Sequence, residues 1–337
     1  MTDRRIVAAA IVLSVVVAGC GDSPPPAESP ARDQEARTPN LAAAVTSSDV
    51  GGPVQIEMQN VRLHMGDGIV LDVRALRGEM VSTVRGRPPV FDDPGSYTLR
   101  LFQADVAMDM TSLSNLMNRH VFAGKDPPLT DIEMEIDEGR LKQKAKLHKG
   151  VVLPISMVAT VSATRDGRLH LKTEKVSTLG IPTKGLLDLF GIELADLVKL
   201  KAQRGVEILD NDIVLAPGRL LPPPEMDGHL ARVEIAGNRL HQIFSSGRAA
   251  PPLARPDADV PNYVYFSGSV LRFGKLTMTG ADLRLIDSDP DDPFDFFPAR
   301  YQQQLIAGYS RNTPQGGLKT YMPDFNDLPR VRELKPR

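Results

Sequence analysis

The chain has one cysteine, Cys20, and therefore one thiol open to covalent modification. Its surroundings say what kind. The chain starts Met1-Thr2-Asp3-Arg4-Arg5, and residues 6–19 are apolar apart from Ser14, ending Val17-Ala18-Gly19-Cys20. A basic head, a short apolar stretch and a small-residue exit form a secretion signal. The stretch is too short to span a bilayer, which takes roughly 20 apolar residues. A buried N-terminal helix with a chance cysteine would leave the coincidence of these three cues unexplained. With no second cysteine there is no internal disulfide, so in an oxidising compartment the fold must rest on its core.

Other reactive groups are sparse. His64, His120, His148, His170, His229 and His241 are scattered, and none forms the His-x-x-x-His pair of a helical zinc site. There is no Gly-x-Ser-x-Gly elbow, and Gly66-Asp67-Gly68 lacks the third glycine and following helix of a dinucleotide fingerprint. The residues thus point to no catalytic group, metal or cofactor. Asp287, Asp289, Asp291, Asp292 and Asp295 form the one acidic cluster. Oxygen ligands at alternate positions suit calcium, but position six is Asp292 rather than glycine and position twelve is Pro298 rather than glutamate, so this is not an EF-hand loop. The competing reading is an Asp/Pro-rich turn whose side chains cap backbone amides. Removing residues 1–19 leaves 38 basic against 41 acidic side chains. That balance argues against nucleic acid as a partner and against polybasic adhesion to anionic lipid.

Residues 20–50 contain Pro24-Pro25-Pro26, Pro30 and Pro39 among Ser, Ala, Glu and Asp, with no apolar period. Such a segment cannot offset its ordering entropy and reads as a tether. From Val54 the pattern alternates with period two. Val54, Ile56 and Met58 share a face, as do Ile69, Leu71 and Val73, across the turn 65–68. Strand pattern over 97–110 leads into a short helix capped by Thr111 or Ser112, with Leu113, Leu116 and Met117 on one face. A two-residue Glu138-Gly139 turn sets Asp137 opposite Arg140, Glu135 opposite Lys142 and Glu133 opposite Lys144. It also sets Ile136 opposite Leu141 and Ile132 opposite Ala145. The basic stripe Arg140, Lys142, Lys144 and Lys146 is then a sheet face neutralised by its neighbour. Its alternative is a phosphate-binding patch.

Val151, Leu153, Ile155, Met157, Ala159 and Val161 share the next face, and Leu169 and Leu171 must join it. A one-residue slip would turn them outward. The spacing therefore predicts a three-residue loop, Arg165-Asp166-Gly167, with glycine left-handed. A helical stretch opens at Thr183, with Leu186, Leu187, Phe190, Leu194, Leu197 and Val198 at helical spacing and a break at Gly191. Strands at 206–209 and 213–215, a proline turn at 222–224 and a hairpin at Gly237-Asn238 follow, with Ile235 opposite Leu240 and Val233 opposite Gln242. Residues 246–261 read as a linker or long loop. Strands near 263–273, 275–279 and 281–287 and a helix from Pro298 carrying Tyr301, Leu305 and Tyr309 make a C-terminal extension, 262–337, packed on the main domain. Its last twenty-five or so residues look irregular. A long curved sheet with two short amphipathic helices can enclose an elongated cavity. Met108, Met110, Met117, Met134 and Met157 fall in that region, and thioethers adapt to varied apolar ligands; the same stripe also suits a plain core.

Two resemblances follow from these residues. Val17-Ala18-Gly19-Cys20 resembles the lipobox of bacterial lipoproteins, which implies a diacylglyceryl group on Cys20, cleavage before it and acylation, such as palmitate, of the new amine. It implies a cell-envelope location facing the periplasm or exterior. In a diderm bacterium, Gly21 in place of aspartate resembles the pattern exported to the outer membrane. The second rests on element order over 54–245. Strand 101–110 runs into Thr111-Ser-Leu-Ser-Asn-Leu-Met117, followed by Glu138-Gly139-Arg140-Leu141 and strand 151–163. Asp166-Gly167-Arg168-Leu169, Ile181-Pro182 and the hairpin 233–243 complete it. This order resembles the LmeA-like phospholipid-binding family, of the tubular lipid-binding (TULIP) class. The resemblance implies an α+β fold, a strongly curved, mostly antiparallel sheet wrapped around short helices and an apolar tunnel. It supplies no catalytic residue.

The expectation is a membrane-anchored, non-enzymatic lipoprotein that binds phospholipid or another acyl-chain ligand. Val151, Leu153, Ile155, Met157, Val161, Leu186, Phe190, Leu194, Leu116 and Met117 would line its cavity. The alternatives are a solid-cored interaction module that docks an envelope protein, through an edge strand or the 281–309 region, and a hydrolase of unrecognised type.

Overall fold

The computed structural model describes residues 51–149, 151–178, 181–182, 205–209, 212–253 and 260–329. The helical stretch expected from Thr183, with its break at Gly191, lies outside them, as do the signal and tether. The described residues are mostly strand, in large antiparallel-rich sheets with a few short helices.

Local chemistry accounts for the first hairpin. Strands β1 (Val54–Gly66) and β2 (Ile69–Ser82) meet at Asp67-Gly68, both with positive φ, and the apolar residues of the two alternations are buried together. Strand β3 (Tyr97–Asp109) pairs with β2 through two register shifts, at 73/75 and 77/78. Such bulges bend and twist a strand. Helix α1 (Met110–Leu116) is capped by Asp109, not by Thr111 or Ser112: its carboxylate accepts the Ser112 amide at 2.6 Å. The Ser112 hydroxyl instead accepts the amide of Val70 on β2 at 3.2 Å. A π-helical turn, Met117–Val121, continues from α1.

Strands β4 (Leu129–Asp137) and β5 (Arg140–Lys149) form the expected hairpin, with Glu135 opposite Lys142, Glu133 opposite Lys144 and Ile136 opposite Leu141. Ile132 departs from it. The register shifts between Thr130 and Glu133, Asp131 has positive φ, and the side chain of Asn118 takes both the amide and the carbonyl of Ile132, at 2.9 and 2.7 Å. An amide from the π-helical turn thus replaces a ladder partner that strand alternation alone would assign to Ala145. The basic stripe is neutralised by neighbours: Lys144 with Glu135 and Glu133, Lys142 with Glu135 and Asp137, Lys146 with Asp131, and Arg140 with Glu138 and Glu174.

Strands β6 (Val151–Ala163) and β7 (Leu169–Thr178) are joined by the expected loop. The Thr164 amide donates to the Arg168 carbonyl at 2.8 Å, Gly167 has φ +82°, and Leu169 and Leu171 fall opposite Ala163 and Val161. Short strands β8 (Ile181–Pro182), β9 (Val206–Leu209) and β10 (Asp212–Leu215) complete this smaller sheet, in the order β4-β5-β6-β7-β10-β9, with β8 also on β7.

Helix α2 (Pro217–Leu220) and β11 (Glu225–Asp227) lead back to the larger sheet, followed by β12 (Leu230–Ala236) and β13 (Arg239–Ser245), with Ile235 opposite Leu240. Strand β14 (Tyr263–Phe273) pairs antiparallel with β1, some two hundred residues earlier in the chain. Strand β15 (Leu276–Asp287) is continuous where two strands were expected; its register with β14 runs unbroken across Gly280, which takes φ +70°. Strand β16 (Phe294–Phe296) joins β1 in parallel, and helix α3 (Tyr301–Ala307) follows. Tyr309 lies not in that helix but in strand β17 (Tyr309–Asn312). The residues expected to be irregular include β18 (Leu318–Met322), parallel to β15, with Met322 fully buried. The parallel partner of so short a strand is remote in sequence, so local pattern carries no trace of it. The larger sheet runs β12-β13-β3-β2-β1-β14-β15-β18-β17, with β11 on β3 and β16 on β1.

The loop at Gly167 joins the two sheets: its carbonyl accepts the Leu230 amide at 3.0 Å. A Cβ on Gly167 would collide with the His229 ring and lie 2.9 Å from the His229 Cα, on a backbone at positive φ. Gly139 also has positive φ, but nothing lies within 4 Å of its added Cβ. Gly167→Ala is therefore expected to cost more than Gly139→Ala, about 3 kcal/mol against about 1. Urea denaturation midpoints check this; equal losses would mean that the contact at His229 is not constraining.

Candidate functional cavity

A cavity of about 410 Å³ lies against one face of the larger sheet. Its floor follows directly from strand alternation. Met58, Leu76, Ala104 and Phe244 are paired across β1, β2, β3 and β13, and the next row along is Val61, Val73, Val106 and Gln242. Leu63 pairs with Leu71, and Met108 with Leu240. All of these except Val61 line the cavity. The opposite wall is made of shorter pieces. Leu113, Leu116 and Met117 come from α1 and its π-helical turn, Leu169 and Leu215 from the ends of β7 and β10, and Leu220, Leu221, Pro223, Pro224 and Met226 from the connection into β11. Short elements and prolines span a gap without the long side-chain ladders that would fill it.

Aromatic packing borders part of the cavity. Phe91 stacks on Phe273 and meets Phe266 and Tyr301 edge-on; Phe91, Phe266 and Phe296 line the cavity. His64 also lines it. Its Nε2 is bonded to the buried Asp295 carboxylate, and its ring stacks on Phe297. Tyr97 lines the cavity as well, and burial, with the Asp93 charge, raises its phenol above the ordinary tyrosine range.

The ten residues expected to line a cavity divide three ways. Leu116 and Met117 do so. Ile155 and Met157 are buried in the common core, Val161 packs against that core, Leu153 is half-buried and Val151 is 63% exposed, so none of these β6 residues reaches this cavity. The reason is topological: β6 sits inside the smaller sheet, while the open space borders β1, β2, β3 and β13. Leu186, Phe190 and Leu194 lie outside the described residues, as does Cys20. Of the five methionines, Met108 and Met117 line the cavity, and Met110, Met134 and Met157 are core. The lining from 215–226 was missed because its apolar residues are spaced by prolines rather than by any regular period.

The acidic cluster divides too. Asp287 accepts the Asp289 amide at 2.9 Å and Asp289 that of Asp291, so these side chains cap their own turn. Asp295 faces away, toward His64 and the Asn326 amide. Among the described residues no group of three or more His, Cys, Asp or Glu is arranged to hold a metal ion, and no helix is long and apolar enough to cross a membrane. No family model, curated protein or solved structure matches the chain.

Asp324 accepts the Asp295 amide at 2.7 Å and is 5% exposed. Burial, reinforced by the charges of Asp287, Asp292 and Asp295, pushes its carboxyl up to about 7. The unfolded chain releases that proton near pH 4. Between these values the native state binds more protons than the unfolded one, so this group's contribution to stability falls as pH rises through the window. Asp324→Asn removes that dependence. Relative to wild type the variant should gain about 2 kcal/mol between pH 5 and pH 8. Denaturant titrations at the two pH values test it, and an unchanged difference would place the Asp324 carboxyl in the ordinary range.

Proposed function

We propose that this chain is an envelope lipoprotein, anchored by acyl groups at Cys20, that holds an acyl chain of a phospholipid or similar amphiphile non-covalently. The observation that carries the reading is the cavity of about 410 Å³, lined by aliphatic, aromatic and thioether side chains. Its volume falls within the range of small-molecule pockets, roughly 300–1,000 Å³. Transfer of acyl carbons from water onto such a surface stabilises the complex by ~25 cal/mol per Å² of apolar area. The bulged pairing of β2 with β3 supports the finer architectural reading, a sheet curved around α1 as in tubular lipid-binding proteins. The tether would hold the domain above the membrane, and no chemical step is required of any residue. Stable attachment calls for two or more acyl chains, because one chain binds only marginally.

A second reading, docking of an envelope protein, has its own support. Strand β17 ends the larger sheet and is exposed throughout, and Ile306 beside it is 83% exposed. An uncovered edge invites strand addition.

Two experiments test the first reading and its anchor. Val73→Phe adds bulk at the centre of the cavity floor and should weaken uptake of a fluorescent polyene fatty acid by the full-length protein about tenfold or more, with Val151→Ser as an unaffected control. Unchanged uptake in Val73→Phe would remove the cavity as the binding site. Cys20→Ser should move the protein from the membrane to the soluble fraction; retention in the membrane would dispose of the anchor.

A further inference from the structure

Gln242 is the exception in the cavity floor. It is 8% exposed, sits on β13 between Leu240 and Phe244 on the same face, and lies opposite Val106. All four line the cavity. A glutamine amide has two donor hydrogens and an acceptor oxygen. Yet among the described residues no protein group hydrogen-bonds the Gln242 side chain, although the buried glutamine of α3, Gln304, is bonded to Asp295, Phe297 and Pro323. The Gln242 amide is not among the fully buried atoms left without a partner, so its polar atoms open onto the cavity. Leucine would fit the apolar pattern of its neighbours, yet an amide that can donate and accept stands there.

We infer that Gln242 is a ligand-reading residue, whose amide hydrogen-bonds an uncharged oxygen group, a hydroxyl or ester carbonyl, on a long-chain amphiphile held in the cavity. The inference rests on the acyl-binding reading above and deepens it by naming the polar chemistry of the ligand. The group is uncharged because among the described residues no lysine or arginine lines the cavity, and burial of an unpaired anion or cation would be far costlier than burial of an alcohol or ester. A hydroxyl engages both the donor and the acceptor of the amide, whereas an ester carbonyl engages the donor alone. His64 lies on β1, three strands away from β13, so it is not the partner of the same ligand atom.

The test is displacement of a fluorescent polyene fatty acid from the full-length protein by 1-hexadecanol, methyl palmitate and hexadecane. Wild type should prefer hexadecanol over hexadecane by about tenfold, the worth of one neutral hydrogen bond made in an apolar site, with methyl palmitate between or equal to hexadecanol. Gln242→Leu should erase that preference and retain hexadecane binding. Gln242→Met provides the same readout with a side chain of closer shape. If both variants bind hexadecane and still prefer the alcohol as wild type does, the inference is overturned while the acyl-binding reading stands. If no probe binds the wild-type protein, the acyl-binding reading fails and this inference fails with it.

Discussion

Four strands, β1, β2, β3 and β13, turn successive rows of valine, leucine, methionine and phenylalanine toward the interior, and that surface must be kept from water. In an ordinary sandwich a second layer of long side chains would interlock with it at crystal-like density. Here the covering is assembled from α1 and its π-helical turn, the ends of β7 and β10 and a proline-rich connection. These pieces span the floor without filling the space above it. The cavity, and the acyl binding proposed for it, depend on that incomplete interlock.

The two sheets share one apolar core, and a few polar devices fix how they meet. Asp109 caps α1, Ser112 of that helix reaches β2, and Asn118 replaces a missing ladder partner at Ile132 on β4. The helix that roofs the cavity is therefore bonded to both sheets. Gly167 provides a second junction, where only a side chain without Cβ lets the β6–β7 loop approach β12. At the far end Asp295 joins β16 to His64, while Gln304 ties α3 to the same segment. Each device satisfies buried polar atoms and so leaves the apolar residues free to line open space.

Much of the local architecture was legible in the residues. Asp67-Gly68, Glu138-Gly139 and Gly237-Asn238 each specify a tight turn, and the need to keep Leu169 and Leu171 on the face of Val161 specified a three-residue loop at 165–167. What local pattern does not carry is which strands meet across long separations. The pairing of β14 with β1 and of β18 with β15 is absent from any window of the sequence, and so the tail was read as irregular. The cavity suffered the same way. Period-two alternation names the residues that share a face, but not whether that face meets a packed layer or a void. The longest apolar run, on β6, drew the expected lining to Ile155 and Met157, which are core. Leu116 and Met117 do border the cavity, because a helix face beside a strand end has few other places to point. Gln242, read only as the partner of Val233, stands out once its neighbours on the floor prove to be apolar.

In the proposed complex an acyl chain occupies the space between the β2–β3 floor and the roof of α1 and residues 217–226. Crystallography of the protein soaked with a fatty acid brominated mid-chain tests it at the level of atoms. Anomalous bromine density is expected between Val73, Leu116 and Leu220. Bromine found only on the outer surface, with the interior closed by the protein's own side chains, would contradict it.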